Sequence, residues 1–432
     1  MHETSIRRFA VDNLARVEGE GAMHLTIDDG TVTDLRFKIF EPPRFYEAFL
    51  RGRDLTEAPD ITARICGICP VAYQTSASNA MEALLGIEIG PQLRRLRHLL
   101  YLGEWIESHA LHIHLLHAPD FLGYQDGIAM AADHPDEVRR GLRMKRIGND
   151  LMRLIGGREI HPVNPRVGGF HRAIRRDELD TLVDDLEWGL TAAEAVVTWV
   201  AGLPIPTADM DYEFVALSDP DAYAILDGRI VSSAGIDIPV DEWDDVFIEE
   251  HVEWSNALHA RIRERGSYLV GPLARYALNH ERLHPRALAA AAGVGLAPPV
   301  TNPFASIVVR AVEVVHAFAT ALDEIDRYEQ PPEPFVTAPT RAGVGHGASE
   351  APRGLLYHRY EVDDAGTITD ARIVPPTSQN QKRIEDDLRI HVLAHLDLPD
   401  DRLQWELEQT IRNYDPCISC ATHFLDLTVE RR

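Results

Sequence analysis

The four cysteines of this 432-residue chain are the residues whose spacing most directly indicates chemistry. They form two CxxC pairs, Cys66 with Cys69 and Cys417 with Cys420, near opposite ends of the sequence. Four thiolates that converge on one point suit a soft transition metal. A structural zinc site is the ordinary interpretation of two such pairs, but those pairs normally lie about 15–20 residues apart. Here most of the chain separates them, which disfavours a zinc staple.

Both pairs are expected at the N-termini of helices. Pro70 opens an apolar-periodic segment directly after the first pair, and Asp415 with Pro416 before the second pair resembles an N-cap followed by a first helical residue. A helix N-terminus stabilises a thiolate through its dipole and free N–H groups, and i,i+3 spacing turns both sulfurs to one side. The sequence therefore predicts that two helix starts position the thiolates.

The elements around these pairs are predicted to be mostly helical. Two segments, 23–39 and 356–374, alternate apolar and polar residues around a turn, so each indicates a β-hairpin, and the two are expected to share a small sheet. Apolar residues spaced three and four apart predict helices over residues 70–85, 93–116, 178–200, 241–263 and 303–327. The predicted fold class is mainly α with small β-sheets (α+β), in a single domain over residues 1–432.

The bulk charge limits the classes of partner. A net charge of −25 with a pI near 5.2 disfavours nucleic acid and anionic membrane surfaces, because both would repel an acidic protein. No segment approaches the ~20 consecutive apolar residues of a membrane helix. The polar N-terminus lacks the apolar stretch of a signal peptide, so a cytoplasmic location is expected.

The segments that contain the cysteines, 64–69 (RICGIC) and 415–423 (DPCISCATH), resemble the two signature motifs of [NiFe]-hydrogenase large subunits. Further segments resemble that family in the family's order: 16–19 (RVEG), 47–54 (EAFLRGRD), 108–123 (SHALHIHLLHAPDFLG), 168–169 (GG), 350–354 (EAPRG) and 376–380 (PTSQN). So many ordered matches far outweigh a lone CxxC. The resemblance implies the large-subunit fold, rich in helices.

One departure bears on the subgroup. The family often carries His four residues after the second cysteine of its first motif, whereas this chain has Tyr73 there. The segment around Tyr73 resembles the cytoplasmic NAD(P)-linked, sulfhydrogenase-type branch of the family. The quinone-site subunit of respiratory complex I is a non-catalytic alternative of similar fold, but it lacks the cysteine ligands that this chain retains.

The resemblance implies a nickel ion bound by all four thiolates. Cys69 and Cys420 would also bridge to an iron that carries CO and two cyanides, so that Cys66 and Cys417 are terminal ligands. Four thiolates and two cyanides against two divalent metals leave a net charge of about −2, which a buried site must offset.

Arg353 is the implied counter-charge, since its guanidinium can donate to a cyanide or polarise H2. Asp120 and Asp415 resemble the carboxylates that orient it. Pro376 and Thr377 resemble the residues around the other cyanide, with the Thr hydroxyl as donor, because a buried nitrogen without a donor is costly. The structural alternatives are a solvent-exposed loop arginine for Arg353 and a polar turn after a strand for Pro376 and Thr377.

Proton transfer and a second metal are also implied. Heterolytic cleavage of H2 would deliver a proton to the terminal thiolate of Cys417, and Glu18 resembles the family's proton-relay glutamate. Glu47, His423 and the backbone carbonyl of Gln381 match the ligands of a second site, usually magnesium, although a His ligand equally admits a transition metal.

Four histidines in one apolar helical segment, His109, His112, His114 and His117, also suggest metal binding. They lack a carboxylate partner at helical spacing, so core packing is the favoured interpretation.

The chain is predicted to need partners for electron transfer. No cysteine remains to bind an iron–sulfur cluster, so an iron–sulfur small subunit is implied, with diaphorase subunits that reduce NADP+ or NAD+ beyond it. The segment 343–347 (GVGHG) is too short for a dinucleotide fingerprint of its own. An H2-sensing regulatory subunit of similar sequence remains an alternative function.

The residues after His423 pose a separate question. Many catalytic relatives lose such a tail to a dedicated protease once nickel is bound, and cleavage of residues 424–432 is favoured here. The tail FLDLTVERR alternates apolar and polar residues, so a short strand retained in the mature protein is the alternative.

Overall fold

The computed structural model describes residues 6–40 and 45–422, and helices form about half of this part of the chain. The helices are α1 (Tyr46–Leu50), α2 (Ala58–Thr62), α3 (Pro70–Leu85), α4 (Pro91–Leu111), α5 (Ala118–Leu122), α6 (Gly127–Met130), α7 (Pro135–Gly156), α8 (Arg176–Asp180), α9 (Val183–Ala201), α10 (Trp243–Val246), α11 (Pro272–Asn279), α12 (Pro285–Gly293), α13 (Ser306–Asp326), α14 (Pro376–Ala394), α15 (Asp400–Arg412) and α16 (Ile418–Ala421).

Small antiparallel sheets surround the helices. The strands are β1 (Ile6–Val11), β2 (Gly21–Asp28), β3 (Thr31–Ile39), β4 (Pro165–Arg166), β5 (Gly169–Phe170), β6 (Val215–Ser218), β7 (Arg229–Ser232), β8 (Asp237–Ile238), β9 (Phe247–Glu250), β10 (His259–Ile262), β11 (Gly343–Ala351), β12 (Gly354–Val362) and β13 (Ile368–Val374). The predicted fold class, mainly α with small β-sheets, is confirmed.

The helical body is built on α4 and α13. Helix α4 packs against α7 on one side and α13 on the other, and α13 in turn packs against α9 and α12. One described helix, Pro303–Asp326, is long and apolar enough to span a membrane. However, 83% of its most apolar 18-residue stretch is buried inside the protein. This segment therefore forms the buried centre of the body.

Helix α4 ends in an irregular turn close to the cysteines. Residues His112–His117 form a π-helical turn between α4 and α5, and Pro119 lies in the first turn of α5. A proline there lacks the N–H that would continue an α-helical ladder. The predicted helix over residues 93–116 is thus found, with its last residues in π geometry.

The two predicted hairpins are present as β2–β3 and β12–β13, but they do not share a sheet. Each instead gains its own third strand, β1 or β11, from the sequence just before it. Strand β11 is rich in glycine because it runs against α3: a Cβ at Gly347 would lie 2.3 Å from the carbonyl oxygen of Ser76. The glycines of segment 343–347 therefore serve helix–strand packing.

The predicted helix over residues 241–263 is wrong. Only Trp243–Val246 is α-helical there, and Phe247–Glu250 pairs with His259–Ile262 as the antiparallel strands β9 and β10. Trp243 stacks on Phe247 with ring centroids 5.4 Å apart and on Tyr357 of β12 at 4.8 Å. Aromatic side chains packed on a sheet favour strands, and this tertiary contact outweighs the apolar spacing.

Candidate metal centre

The four cysteine thiols meet at one buried point. The Sγ atoms of Cys417 and Cys420 are 2.8 Å apart, those of Cys66 and Cys417 3.5 Å, and those of Cys69 and Cys420 3.8 Å. All four sulfurs lie within 4.8 Å of one another, and no side chain among them exposes more than 5% of its surface. Metal–sulfur bonds of about 2.3 Å hold neighbouring thiolates about 3–4 Å apart, so the donor set fits a soft metal ion.

Burial and mutual contact set the protonation of these thiols. Burial raises the pKa of the Cys69, Cys417 and Cys420 thiols. Burial acts in the same direction on Cys66, but hydrogen bonds with Cys417 and Cys420 outweigh it and hold the pKa of Cys66 well below its usual range. A cation that binds here must therefore displace protons from the other three thiols.

The first pair is positioned by local backbone. Cys69 is the N-cap of α3, and the Cys66 sulfur accepts hydrogen bonds from the backbone N–H groups of Ile68 (3.3 Å) and Cys69 (3.1 Å). Free amide groups at a helix start favour thiolate over thiol, and in this pair they act on Cys66.

Glu104 of α4 completes this helix start, and the sequence-based prediction missed it. Its carboxylate accepts from the N–H groups of Val71 (2.6 Å) and Ala72 (3.2 Å) and is fully buried. Burial raises the pKa of Glu104 well above its usual value. The signal available in the sequence was an acidic residue on the apolar face of a predicted core helix.

The second pair lies on a single helical turn, α16, and the predicted cap is wrong. Cys417, not Asp415, is the N-cap of Ile418–Ala421. Asp415 has a left-handed backbone, with φ of 51°, and both its carbonyl and its carboxylate bond to Arg353. These bonds hold its side chain away from the helix start, so other residues supply the capping groups.

The side chain of Thr377, distant in sequence, contacts the second pair. The Thr377 hydroxyl oxygen accepts from the Cys417 N–H at 2.9 Å, which leaves the hydroxyl proton free to point elsewhere. Pro376, beside it, opens α14. The sequence-predicted pair Pro376 and Thr377 thus lies at the backbone of the second cysteine motif.

Glu18 reaches the same turn from the N-terminal part of the chain. Its carboxylate lies 3.2 Å from the Cys417 sulfur and accepts from the Ser419 N–H at 3.0 Å. Its backbone carbonyl accepts from the Ile418 N–H at 2.9 Å, in a parallel bridge between Glu18 and Cys417. A thiol in contact with a partly exposed carboxylate can exchange a proton with it.

Arg353 supplies a buried positive charge next to the thiols. Its Nε donates to the Asp415 carbonyl at 2.7 Å, and its Nη2 donates to the Asp415 carboxylate at 3.1 Å. Burial would lower the pKa of Arg353, but the charges of Asp415 and of the cysteines hold it well above its usual value. The guanidinium is therefore permanently charged where a negative metal cluster would need compensation.

The predicted contact of Asp120 with Arg353 is not found in the described part of the chain. Both Asp120 oxygens instead bind arginines: Arg16 at 2.6 Å, and Arg412 at 2.7 and 2.8 Å. Asp120 thereby joins the segment that carries Glu18 to the end of α15, which leads into the second cysteine motif. These two arginines, rather than Arg353, therefore offset the charge of this buried carboxylate.

The loop that carries Arg353 is held by a second arginine that the sequence-based prediction missed. Arg275 donates to the carbonyls of Ala351 (2.9 Å) and Pro352 (3.0 Å) and pairs with the buried carboxylates of Glu313 and Glu350. Such a network is invisible in sequence because its members come from α11, α13 and β11.

Tyr73, the departure from the family motif, lies in the first turn of α3 with its ring buried. Burial raises the pKa of Tyr73 well above its usual value, and the charges of Cys420 and Cys69 add to that effect. The phenol therefore stays protonated and can act as a hydrogen-bond donor at the cluster.

The predicted second metal site is only partly described. Glu47 in α1 accepts from the Ile373 N–H at 2.8 Å, and Gln381 lies in α14, where its side chain donates to the Phe37 carbonyl at 2.9 Å. Its third predicted ligand, His423, lies outside the described residues, as does the tail 424–432.

The histidine-rich segment belongs to the core, as predicted. All four rings are buried, and three have polar partners: His109 meets Glu313 at 2.9 Å, His112 the Arg412 carbonyl at 2.9 Å, and His117 Asn413 at 2.8 Å. Burial is the largest cause that lowers the pKa of each, so these rings are neutral.

Comparison with known proteins agrees with this geometry. The profile of the family "Nickel-dependent hydrogenase" matches residues 44–140 and 265–423. Sulfhydrogenase 1 subunit alpha of Pyrococcus furiosus is 32% identical over 96% of this chain and 98% of its own length, and sulfhydrogenase 2 subunit alpha of the same organism is 33% identical over 96% and 99%.

A solved structure shows the same likeness in three dimensions. The NAD+-reducing [NiFe]-hydrogenase in its H2-reduced state superposes with a TM-score of 0.89 at 28% identity, over 98% of this chain and all of that one. The family profile covers more than half of the chain, and the relatives align over nearly all of it. The chain therefore belongs to the nickel-dependent hydrogenase family, as a large-subunit member and an oxidoreductase.

Proposed function

We propose that this chain is the catalytic subunit of a hydrogenase that reversibly converts H2 into two protons and two electrons. The observation that carries the proposal is the convergence of four buried thiols next to a buried arginine and a carboxylate. When bound, a nickel–iron centre with CO and two cyanide ligands supplies the Lewis acidity and the redox capacity for this reaction. The four thiols of Cys66, Cys69, Cys417 and Cys420 would hold it.

The residues around the thiols fit the remaining tasks. Cys417 accepts the proton released from H2, and Glu18, 3.2 Å from its sulfur, takes that proton onward. Arg353, held by Asp415, brings a permanent positive charge next to the thiols. Thr377 keeps its hydroxyl proton for an acceptor in the site while its oxygen holds Cys417.

Electrons must leave through a partner. All four cysteines of the sequence belong to the cluster, so this chain holds no thiols for an iron–sulfur relay. We place an iron–sulfur small subunit next to it, with NAD+ or NADP+ as terminal acceptor in the cytoplasm. The NAD+-reducing relative supports this acceptor, and the sulfhydrogenase relatives support sulfur as an additional one.

The decisive experiment is infrared spectroscopy of the purified complex, combined with H2-dependent reduction of NAD+, NADP+ and sulfur. Bands of metal-bound CO and cyanide together with turnover support a catalytic subunit. Bands without turnover on any acceptor would identify an H2 sensor instead. Absence of nickel from the complex would contradict the proposal.

A second metal site is proposed at Glu47, the Gln381 carbonyl and His423, with Mg2+ as the ion. Glu47 of α1 accepts from the Ile373 N–H near the end of β13, and Gln381 lies in the second turn of α14, the helix that follows β13. Metal analysis of wild type and Glu47→Gln tests this site, since only the wild type should retain magnesium.

Proteolytic removal of residues 424–432 is proposed as the final maturation step. Thr422 is buried and bridges to Ala257, so a cut after His423 would leave a new terminus one residue beyond an anchored position. Intact-mass measurement of the nickel-loaded subunit decides this: a mass that ends at Arg432 would contradict it.

A further inference from the structure

A second cluster of potential metal ligands lies between α14 and α15. His391 lies in the last turn of α14, His395 caps that helix, and Glu406 lies on α15. One ligand atom from each lies within 4.8 Å of the others. We propose that His391, His395 and Glu406 bind one divalent transition-metal ion, of the class of Zn2+, separate from the cysteine centre.

The two histidines are already arranged for a shared ligand. They are four residues apart, on one face of α14, and their rings stack with centroids 4.3 Å apart at an interplanar angle of 28°. The His391 Nε2 lies 3.1 Å from the Glu406 carboxylate on the neighbouring helix. Metal–nitrogen and metal–oxygen bonds of about 2.0–2.2 Å separate ligands by about 3–4 Å, so small side-chain rotations admit an ion.

Neighbouring hydrogen bonds leave a lone pair on His395 and orient Glu406. The His395 Nδ1 lies 2.9 Å from the His391 carbonyl, which can only accept, so Nδ1 carries the proton and Nε2 presents its lone pair. Arg402 donates its Nε to one oxygen of Glu406 at 3.0 Å, so the other oxygen stays directed at His391. Metal ligands in proteins are commonly oriented by such hydrogen bonds, here from His395 to the His391 carbonyl and from Arg402 to Glu406.

The surroundings of His391 also suit a cation. His391 is 5% exposed, and its Nε2 faces a Glu406 carboxylate oxygen at 3.1 Å. A metal ion bound between them would replace the proton that this contact shares. Two neutral imidazoles and one carboxylate favour zinc or a neighbouring first-row ion over magnesium or calcium, with water in a fourth position.

Such an ion would clamp α14 to α15. The first turn of α14 carries Thr377, which bonds to Cys417, and the last residue of α15 is Arg412, which binds Asp120. A metal ion between the two helices would stabilise the frame around the second cysteine pair. The alternative is a simple His–Glu ion pair beside a stacked ring, which needs no metal.

Zinc binding to the assembled, nickel-loaded enzyme tests the proposal. The wild type, equilibrated with Zn2+ and passed over a desalting column, should retain one zinc beyond its catalytic metals and unfold at a higher temperature than without zinc. His395→Gln, at a partly exposed position, and Glu406→Gln should lose both effects. Co2+ in place of Zn2+ should give a visible ligand-field band in difference spectra of the wild type alone.

The matched control is His98→Gln, which removes a histidine of similar burial that faces a single carboxylate, Glu324, at 3.2 Å. It should keep the extra zinc. Equal zinc retention by wild type and both site variants would overturn the proposal, as would loss of the same zinc in the His98 variant.

Discussion

The two cysteine pairs contribute the same atoms to the cluster but are held in different ways. The first pair precedes a 16-residue core helix, and its contacts come from its own backbone and from Glu104 of the next helix. The second pair lies on a four-residue turn, and Glu18, Thr377 and Arg353 hold it. One half of the site is thus part of the core, and the other half is assembled from remote segments.

This difference assigns distinct roles to the halves. The rigid pair provides a fixed base for the metals, because α3 packs on β11, β12 and α2. The assembled pair carries the groups that can accept a proton or supply charge, since Glu18 and Arg353 both contact its segment. Chemistry is therefore expected at the second pair and architectural support at the first.

The largest effect should follow from loss of a thiol in either pair. Cys66→Ser and Cys417→Ser should each abolish nickel binding and H2 turnover, because four sulfurs share the ion. Deuterium uptake should then rise over residues 413–422 and not over α3, which keeps its core contacts. Metal analysis and hydrogen-exchange mass spectrometry measure both, and wild-type nickel in either variant would break the assignment.

Proton transfer should depend on the second pair alone. Glu18→Gln should keep nickel, since the amide oxygen can still accept from the Ser419 N–H, but should slow H2/D2O exchange by about 10²–10⁴-fold. Glu104→Gln, at the first pair, is the matched control and should exchange at nearly the wild-type rate per bound nickel. Equal slowing in both variants would remove the distinction between the halves.

Arg353→Lys should reduce turnover by about 10²–10³-fold with nickel retained, because one ammonium cannot both bind Asp415 and face the cluster. The control is Arg97→Lys, which breaks a comparable buried pair with Glu82, at 2.6 Å, away from the cysteines. Activity per nickel should stay at the wild-type level in that variant. Normal activity of Arg353→Lys would refute a role in the reaction.

The smallest effects should separate global from local stability. Glu104→Gln leaves a buried N–H without its acceptor and should lower the free energy of unfolding by about 1–3 kcal/mol. Thr377→Val removes the acceptor for Cys417 at a similar local cost, but the turn can open by itself, so global unfolding should change little while chelators remove nickel faster. Thermal unfolding and nickel release under chelator measure the two outcomes.

The same contrast explains what sequence can predict. Pro70 at the start of α3 and the apolar spacing that follows are local signals, and the predicted helix 70–85 agrees with the structure at both ends. Asp415 and Pro416 resemble an equally local helix cap, but Asp415 bonds to Arg353 instead of capping α16. Local patterns do not contain contacts between remote segments.

The family motifs predict most of the candidate site residues. The structure adds supporting residues that these motifs do not contain. Residues such as Arg275 and Glu104 act on a backbone carbonyl or N–H, and no spacing rule reveals their partners. The pairing of Asp120 with Arg16 and Arg412 is of the same kind. Their roles become visible only when helices distant in sequence are packed together.

The bridge between Glu18 and Cys417 has a consequence for the order of events during biosynthesis. It joins residues separated by 399 positions, so a nascent chain displays Cys66 and Cys69 long before the ribosome has made their partners. Closing so long a loop costs conformational entropy, and this cost is offset only when the contacts at its ends form. Metal binding by all four thiols is therefore expected only after the second cysteine pair has been synthesised.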